Sequence, residues 1–427
     1  MDYKTLNAMG YGFLPEAVVM VQEAFDASRE AFLRVDNTAL YNEGKVLSAF
    51  ASCGVMASHL FGSTGYGYGD VARDTLEKLF ARAMGGEDAL VRPQIVSGTH
   101  AIYLSLRGLL RPGETLYAIS GTPYDTIQAA IGVVETPGSL MEQGIRYREQ
   151  PLLAGDILDL EGIQKTLEED TSIRVAAIQR SSGYSFRRPI SLDDMKKAIE
   201  HIHAIRPDVM VFVDNCYGEF TAIQEPTDFG ADVMAGSLIK NPGGGLAPTG
   251  GYVVGTRAAI SRIEGSLTVP GLGREVGSYE ASYRPYYQGL FLAPSVTANA
   301  LKTAILFSRV FAKLGYAVTP QPDDIREDII QSIQFQSPEK LIAFCQSIQR
   351  CSPIDSMAAP TPWEMPGYED QVIMAAGTFV SGASIELSAD GPMREPYTGY
   401  FQGAITFEHG KIACIAAVND ILRMESL

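Results

Sequence analysis

A lysine at the head of a glycine-rich turn is the first residue of this sequence that could carry out chemistry. Lys240 follows a short apolar segment and precedes the run Asn-Pro-Gly-Gly-Gly. Proline removes a backbone donor and glycine admits positive φ, so this lysine is expected on a turn rather than in a helix or a strand ladder. A lone lysine is most often an exposed surface residue. The sequence upstream favours a positioned amine instead.

The upstream feature is an acid at the end of a buried strand. Residues 209–213, VMVFV, are typical of a buried parallel strand, and Asp214 follows them directly. Open α/β sheets bind their ligands at the carboxyl ends of such strands. A lysine that forms a Schiff base and an acid that keeps the ring nitrogen protonated are the two groups that pyridoxal phosphate needs. Lys240 and Asp214 therefore predict this cofactor.

An anion site is predicted nearer the N-terminus, where a strand, a turn of small residues and a helix follow one another around Gly98 and Thr99. Free backbone N–H groups and the positive end of the helix dipole converge at such a point, although an ordinary helix start has the same pattern. His100 lies in the first turn, where it could stack on a ring or act only as a cap. Tyr124 follows the next predicted strand, 115–119, and could present an aromatic face to a ligand.

Composition excludes several classes of partner. A net charge of −16 argues against nucleic acid and anionic membranes, because either would need a basic face. The five cysteines are scattered with no C-x-x-C pair, which indicates reduced thiols, no disulfide framework and no metal site. The N-terminus lacks a basic segment followed by an apolar one, and no apolar run reaches 18 residues. We expect a cytoplasmic protein.

The elements that must position these residues follow an α/β rhythm. Short apolar strands alternate with amphipathic helices up to about residue 255, as in a parallel sheet. A long alanine-rich helix, 294–314, then precedes predicted strands at 379–387 and 403–407. The Pro-rich stretch 357–370 is expected to be a loop that could act as an active-site flap.

At 427 residues the chain is too long for one small core. We predict an N-terminal helical arm over residues 1–50, a large cofactor-binding domain over 51–290 and a small C-terminal domain over 291–427.

Taken together, these features resemble the fold-type I pyridoxal-phosphate enzymes. They look in particular like the cystathionine- and methionine-lyase group, in the branch known as methionine gamma-lyase-like or aluminium-resistance proteins. The resemblance spans roughly residues 62–396. It implies an α/β fold with a mostly parallel sheet in the large domain and a smaller α+β C-terminal domain.

The resemblance also implies roles for individual residues. Lys240 matches the Schiff-base lysine and Asp214 the partner of the pyridinium nitrogen. Tyr217 resembles the tyrosine that donates to the phenolic oxygen of the cofactor. Gly98, Thr99 and Ser237 resemble the residues that hold the phosphate.

A glycine-flanked segment resembles the part of the lyases that lends a tyrosine to the phosphate of the neighbouring subunit. Its tyrosines here are Tyr66 and Tyr68, which implies a homodimer or homotetramer with shared active sites. The lyases carry Tyr-x-Arg at this point, whereas the next arginine in this chain is Arg73, so the cationic partner of the phosphate stays open. The lyases also have a hydroxyl residue directly before the lysine, where this chain has Ile239.

The implied activity is a carbon–sulfur lyase that eliminates a β- or γ-thiol from a sulfur amino acid through an external aldimine and a quinonoid. An aminotransferase or aldolase, or a cofactor-binding stress-response protein with little turnover, would use the same apparatus. Fold-type I enzymes bind the substrate carboxylate with an arginine of the small domain. Arg394 is the candidate here, because a Gly-Pro turn before it and Pro396 after it constrain its backbone.

Overall fold

The computed structural model describes residues 2–365 and 370–426, which fold around two β-sheets. The strands are β1 (Asp88–Arg92), β2 (Thr115–Ala118), β3 (Arg146–Glu149), β4 (Ile173–Gln179), β5 (Met210–Asp214), β6 (Val233–Ser237), β7 (Gly251–Gly255), β8 (Ala317–Thr319), β9 (Gln331–Gln334), β10 (Val372–Ala375), β11 (Ser388–Pro392) and β12 (Thr398–Gln402). The first sheet has the order β1-β7-β6-β5-β4-β2-β3 and the second β10-β11-β12-β9-β8.

Helices precede, connect and flank the strands. They are α1 (Tyr3–Ala8), α2 (Pro15–Ala27), α3 (Arg29–Ser52), α4 (Val71–Ala83), α5 (Gly98–Leu109), α6 (Asp125–Ile131), α7 (Leu160–Glu169), α8 (Leu192–Ile205), α9 (Arg257–Glu264), α10 (Arg284–Lys313), α11 (Pro338–Cys351) and α12 (Phe407–Glu425). Many begin where the sequence offers an N-cap. Asp70 accepts backbone N–H bonds at the start of α4, and Ser97 does so at the start of α5.

The first sheet is mostly parallel, as predicted, with β7 the one strand that runs against its neighbours. The interior of β5 is fully buried, since Val211, Phe212 and Val213 expose at most 2% of their surface. The register pairs Gln179 of β4 with Asp214 of β5. The carboxyl ends of β4, β5 and β6 therefore form one edge of the sheet, where ligands bind in folds of this kind.

The helix α10 connects the two sheets. It begins ten residues before the predicted start and carries Pro294 within it. By length and composition it could cross a membrane, but 72% of its most apolar stretch is buried within the protein. It packs against α2, α3 and α12, and their apolar side chains form the core beneath the second sheet. In this fold α10 is a core helix.

The second sheet corrects two predictions. Residues 379–387, predicted as a strand, form turns instead, and the strand begins at Ser388. The Glu386 carboxylate accepts the backbone N–H groups of Phe379 and Val380 at 2.8 and 2.9 Å, which holds the segment in a turn. The prediction of a strand at 403–407 is also wrong, because β12 ends at Gln402 and α12 begins at Phe407.

The predicted flap at 357–370 is described only in part, and its residues 366–369 lie outside the described residues. Trp363, at its centre, forms an isolated antiparallel bridge with Val372 at the start of β10. The predicted domain bounds stay predictions. The helices α1, α2 and α3 occupy the region predicted as the N-terminal arm and extend two residues beyond it.

Candidate active site

The Lys240 amine lies between the two sheets, in contact with a hydroxyl group and an aromatic ring. Its Nζ donates to Ser384 Oγ at 3.0 Å and lies 3.6 Å from the centre of the Tyr217 ring. The hydroxyl groups of Ser384 and Tyr217 are 3.3 Å apart. The amine is therefore held from one side by the first sheet's loops and from the other by the turn before β11.

The glycine run after Lys240 is required by packing. A Cβ added to Gly243 would lie 1.8 Å from the backbone oxygen of Leu238, and Gly244 has a φ of +53°. The Asn241 side chain donates to the backbone oxygens of Tyr217 and Glu219 at 3.0 and 2.9 Å, which ties the lysine turn to the loop after β5. Lys240 is consequently on a turn of defined geometry, as the sequence predicts.

Asp214 ends β5 and points toward the same space. Its Oδ1 accepts the backbone N–H of Cys216 at 3.1 Å. Burial raises the pKa of Asp214, while the bond from Cys216 and the charge of Lys240 act against that rise. Tyr217, three residues later, has a φ of +72°, a conformation that a non-glycine residue adopts at some cost. This left-handed turn brings the Tyr217 ring under the Lys240 amine.

The start of α5 forms a close-fitting cradle. Ser97 Oγ accepts the backbone N–H of His100 at 3.1 Å, which caps the helix. A Cβ added to Gly98 would lie 3.1 Å from the Cβ of Ser237 and 3.3 Å from the sulfur of Cys216. A side chain at this position would crowd Ser237 and Cys216, so glycine keeps the start of the helix open to an anion beside the Ser237 side chain.

These groups line one cavity of about 250 Å³. The predicted residues that line it are Gly98, Thr99, Tyr124, Asp214, Tyr217, Ser237 and Lys240. The backbone N–H of Tyr124 donates to Gln179 Oε1 at 2.7 Å, so the end of β4 positions this aromatic residue. The structure thus brings together the lysine, the strand-end acid, the cradle and an aromatic side chain.

Two groups of predicted residues lie outside this lining. His100 Nδ1 accepts the backbone N–H of Val96 at 3.2 Å, so the imidazole serves the turn before α5, and burial lowers its pKa. Tyr66 and Tyr68 are 73% and 62% exposed, with their ring centres 5.6 Å apart. They do not reach the cavity of their own chain.

The predicted carboxylate-binding arginine is also outside the lining. The Arg394 side chain is more than half exposed and pairs with Asp370 at 3.1 Å. It lies close enough to Tyr400, a lining residue, to lower the pKa of that phenol against the stronger effect of burial. Arg394 is thus near a residue of the cavity lining, and its role stays a prediction.

Several lining residues were not predicted from the sequence. They are Gln179, Tyr184, Cys216, Asp390, Tyr400 and Gln402, among others. Ser384, which accepts the hydrogen bond from Lys240, was not predicted either. The segment around Ser384 and Asp390 carried the one available signal, since its polar residues interrupt an apolar run. Because residues 379–387 were predicted as a regular strand, the turn that brings Ser384 to the lysine was not predicted.

The electrostatics of the site centre on Lys240. Burial by itself lowers the pKa of this amine, but Tyr217, Cys216 and Glu219 outweigh that effect and raise it. Glu219 is fully buried beside the site, and burial raises its pKa to about 8. Asp390 faces the cavity, and burial raises its pKa to about 7. With Asp214, the site and its immediate surroundings therefore contain three carboxyl groups that hold protons more strongly than exposed acids.

Comparison with solved structures defines the class of protein first. The chain superimposes on the pyridoxal-5'-phosphate dependent protein YhfS from Escherichia coli with a TM-score of 0.60 and 16% identity, covering 93% of this chain and 97% of that one. Identity this low shows the fold alone. The predicted fold class is confirmed: the chain has the fold of the fold-type I pyridoxal-phosphate enzymes.

Sequence similarity then shows the family. The chain belongs to the methionine gamma-lyase family, whose profile matches residues 17–422. It is 48% identical to YnbB of Bacillus subtilis (strain 168) over 394 residues, which cover 92% of this chain and 93% of that protein. It is 46% identical to a carbon-sulfur lyase involved in aluminum resistance from Clostridium novyi NT, with a TM-score of 0.95 and 99% of both chains covered.

Proposed function

We propose that this protein is a pyridoxal-phosphate-dependent carbon–sulfur lyase that acts on a sulfur amino acid. The observation that carries the proposal is the convergence of Lys240 and Asp214 with the cradle at Gly98 in a single cavity. Family membership supports the reaction class. The solved relative from Clostridium novyi NT is called a carbon-sulfur lyase, which agrees with this assignment.

The residues present fit the cofactor. Gly98, Thr99 and Ser237 would hold the phosphate, because the open cradle at Gly98 exposes helix N–H groups beside the Ser237 side chain. Asp214 would hold the ring nitrogen and Tyr124 would cover a face of the ring. Tyr217 would donate to the phenolic oxygen. When bound, pyridoxal phosphate supplies an electron sink for the carbanion that forms when the substrate loses its Cα proton.

Lys240 is the group of this chain that would move that proton. Its raised pKa keeps the free amine protonated near neutral pH, so it must lose a proton before it can act as a base. Ser384 and Tyr217 hold Nζ at a defined point between the sheets. Once neutral, the amine could take the proton from Cα and pass it to the departing thiol, because Lys240 lines the cavity that would hold both groups.

We also propose a cytoplasmic homo-oligomer, a dimer or a tetramer. The exposed Tyr66 and Tyr68 would reach the phosphate of a neighbouring subunit, since they do not line the cavity of their own chain. Small-molecule amino acids are the proposed substrates.

The test combines a labelling experiment with a turnover assay. Purified protein incubated with pyridoxal phosphate is expected to absorb in the visible, and borohydride reduction should attach the cofactor to Lys240, as read by peptide mass spectrometry. Turnover of L-methionine or L-cystathionine to a thiol, a keto acid and ammonia, or of L-cysteine to hydrogen sulfide, pyruvate and ammonia, supports the lyase. Stable cofactor binding without product would favour a binding protein, and attachment at another lysine would remove the basis of the proposal.

A further inference from the structure

Asp390 is a buried acid that takes no part in the proposed handling of the Cα proton. It lies on β11, exposes 8% of its surface and faces the same cavity as Lys240. Its Oδ2 accepts from Gln402 Nε2 at 3.3 Å. Among the described residues, its Oδ1 has no hydrogen-bond partner. A buried carboxylate oxygen without a donor is costly, so this atom needs a ligand or a proton.

The neighbouring side-chain amide, that of Gln402, also has an oxygen that lacks a donor among the described residues. Gln402 lies on β12, next to β11 in the second sheet, and exposes 4% of its surface. Its Oε1 also has no hydrogen-bond partner within the described part of the chain. Two acceptor oxygens on adjacent strands therefore face one space, and a group with several N–H donors would satisfy both.

Aromatic rings form the wall beside these oxygens. The ring centres of Tyr184 and Tyr400 are 5.0 Å apart, and Tyr400 OH donates to the backbone oxygen of Tyr184 at 2.7 Å. This bond holds the ring of Tyr400 in place. A carboxylate, an amide oxygen and aromatic faces are together the groups that bind an organic cation, because the ring quadrupole and the acceptors all attract positive charge.

The charges on the cavity lining also favour a cationic ligand. The charged side chains of the described lining are Lys240, Asp214 and Asp390. Lys240 and Asp214 are both used by the cofactor, so Asp390 is the charge left for the substrate. Burial raises the pKa of Asp390 to about 7 against the opposing effects of the Tyr184 hydroxyl, the Lys240 charge and the Gln402 amide, and a bound cation would act in the same direction as these groups by favouring the carboxylate.

We propose that Asp390 and Gln402 recognise a second ammonium group at the far end of the substrate side chain. The inference rests on the proposed function and narrows its substrate class to sulfur amino acids with a distal amine. In such a substrate the α-amine reacts at the cofactor while the distal ammonium donates to Asp390 Oδ1 and Gln402 Oε1. Amino acids of similar size with a neutral side chain leave both oxygens without a donor.

A matched pair of substrates tests the inference. S-(2-aminoethyl)-L-cysteine carries a distal ammonium, and S-ethyl-L-cysteine lacks it while sharing the same carbon–sulfur bond. For the wild-type holoenzyme, kcat/KM is expected to be about 10- to 100-fold higher for the aminoethyl compound. In Asp390→Asn this preference should fall to about 3-fold or less, because the variant keeps the shape of the side chain and loses its charge. Asp36→Asn, a surface acid paired with Lys302, is the control and should keep the wild-type preference.

Binding provides a readout that does not depend on turnover. Calorimetric titration of the pyridoxal-phosphate-loaded protein with each compound should show the same preference, and the same loss in Asp390→Asn. If neither compound is turned over but the binding preference appears, the lyase proposal fails and the ammonium site stands. Equal affinity and equal kcat/KM for the two compounds in the wild-type protein would overturn the inference even if Asp390→Asn does not fold. An unchanged preference in a folded Asp390→Asn would also overturn it.

Discussion

Lys240 and Ser384 lie 144 residues apart in the chain, and the Lys240 amine donates to the Ser384 hydroxyl at 3.0 Å. This bond joins the turn after β6 of the first sheet to the turn before β11 of the second. It fixes the direction of the amine together with the Tyr217 ring. The position of the amine therefore depends on how the two sheets pack against each other.

Removal of the Ser384 hydroxyl tests this dependence. In Ser384→Ala we expect cofactor binding to persist and kcat to fall about 10-fold, because the amine loses the hydrogen bond that orients it. Visible absorbance and steady-state kinetics measure the two quantities. Ser388→Ala is the matched control, since this buried hydroxyl has no hydrogen-bond partner in the described structure and should be dispensable. Equal losses in both variants would assign the effect to general packing.

The acid at the end of β5 is tested by neutralisation. Asp214→Asn should keep the cofactor but lower kcat by at least about 100-fold, because the ring nitrogen is no longer held protonated. Asp208→Asn is the control two residues before the start of the same strand, where Asp208 is exposed and pairs with Arg206. Near-normal turnover in Asp214→Asn would mean that another acid serves the ring.

Arg394, close to Tyr400 of the cavity lining, leads to a separate expectation. To bind a substrate carboxylate, this arginine would have to exchange its exposed pair with Asp370 for the substrate. Exposed pairs of this kind contribute little, so the exchange is inexpensive. Arg394→Lys should then lower kcat/KM roughly 30- to 1000-fold, because lysine cannot form a bidentate pair. Asp370→Asn is the control and should leave kcat/KM unchanged or raised. An unaltered kcat/KM in Arg394→Lys would rule out the assignment, and loss of the cofactor spectrum would place the arginine at the phosphate.

The exposed tyrosines predict complementation between subunits. If Tyr66 and Tyr68 complete the site of a neighbour, Lys240→Ala chains mixed with chains carrying Tyr66→Phe and Tyr68→Phe should form hybrid dimers with one intact site each. Equal mixing after denaturation and refolding should restore about a quarter of wild-type activity, since half of the dimers are hybrids. Each variant refolded alone gives the baseline. Activity in a sample that sediments only as monomer would contradict the shared site.

Glu219 predicts a pH dependence of stability. Its side chain is fully buried, Tyr252 donates to Oε1 at 2.7 Å, and burial raises its pKa from 4.5 to about 8. Between pH 4.5 and about 8, the folded protein therefore keeps the Glu219 proton, whereas the unfolded chain has released it. The stabilisation is complete below pH 4.5 and is lost as the pH rises through about 8.

The measurement is urea unfolding of the cofactor-free protein between pH 5 and pH 9. Across this window the free energy of unfolding should fall by about 2 to 4 kcal/mol less in Glu219→Gln than in the wild type, because glutamine has no proton to lose. Glu16→Gln, an exposed change on α2, should leave the decline as it is in the wild type. Parallel curves for wild type and Glu219→Gln would show that Glu219 does not carry the dependence.

Local chemistry explains which parts of the site the sequence could predict. Lys240 was identified because proline and glycine restrict the backbone after it, and Asp214 because a run of buried apolar residues ends there. Both signals are contained in short stretches, as is the capped helix start at Gly98. The same local patterns, repeated along the chain, indicated a mostly parallel sheet, and the fold confirms it.

The other parts of the site depend on contacts between segments that are far apart in the sequence. Ser384 reaches Lys240 only because Glu386 holds a turn where the local pattern favours a strand, and because α10 places the second sheet against the first. Asp390 faces the cavity through the register of β11 with β12, and a shift of one residue would turn it to the opposite face. Such packing and register are set by the whole core. The sequence by itself therefore determined the fold and the groups that suit the cofactor, while the tertiary structure decided which side chains hold the amine and which face the substrate.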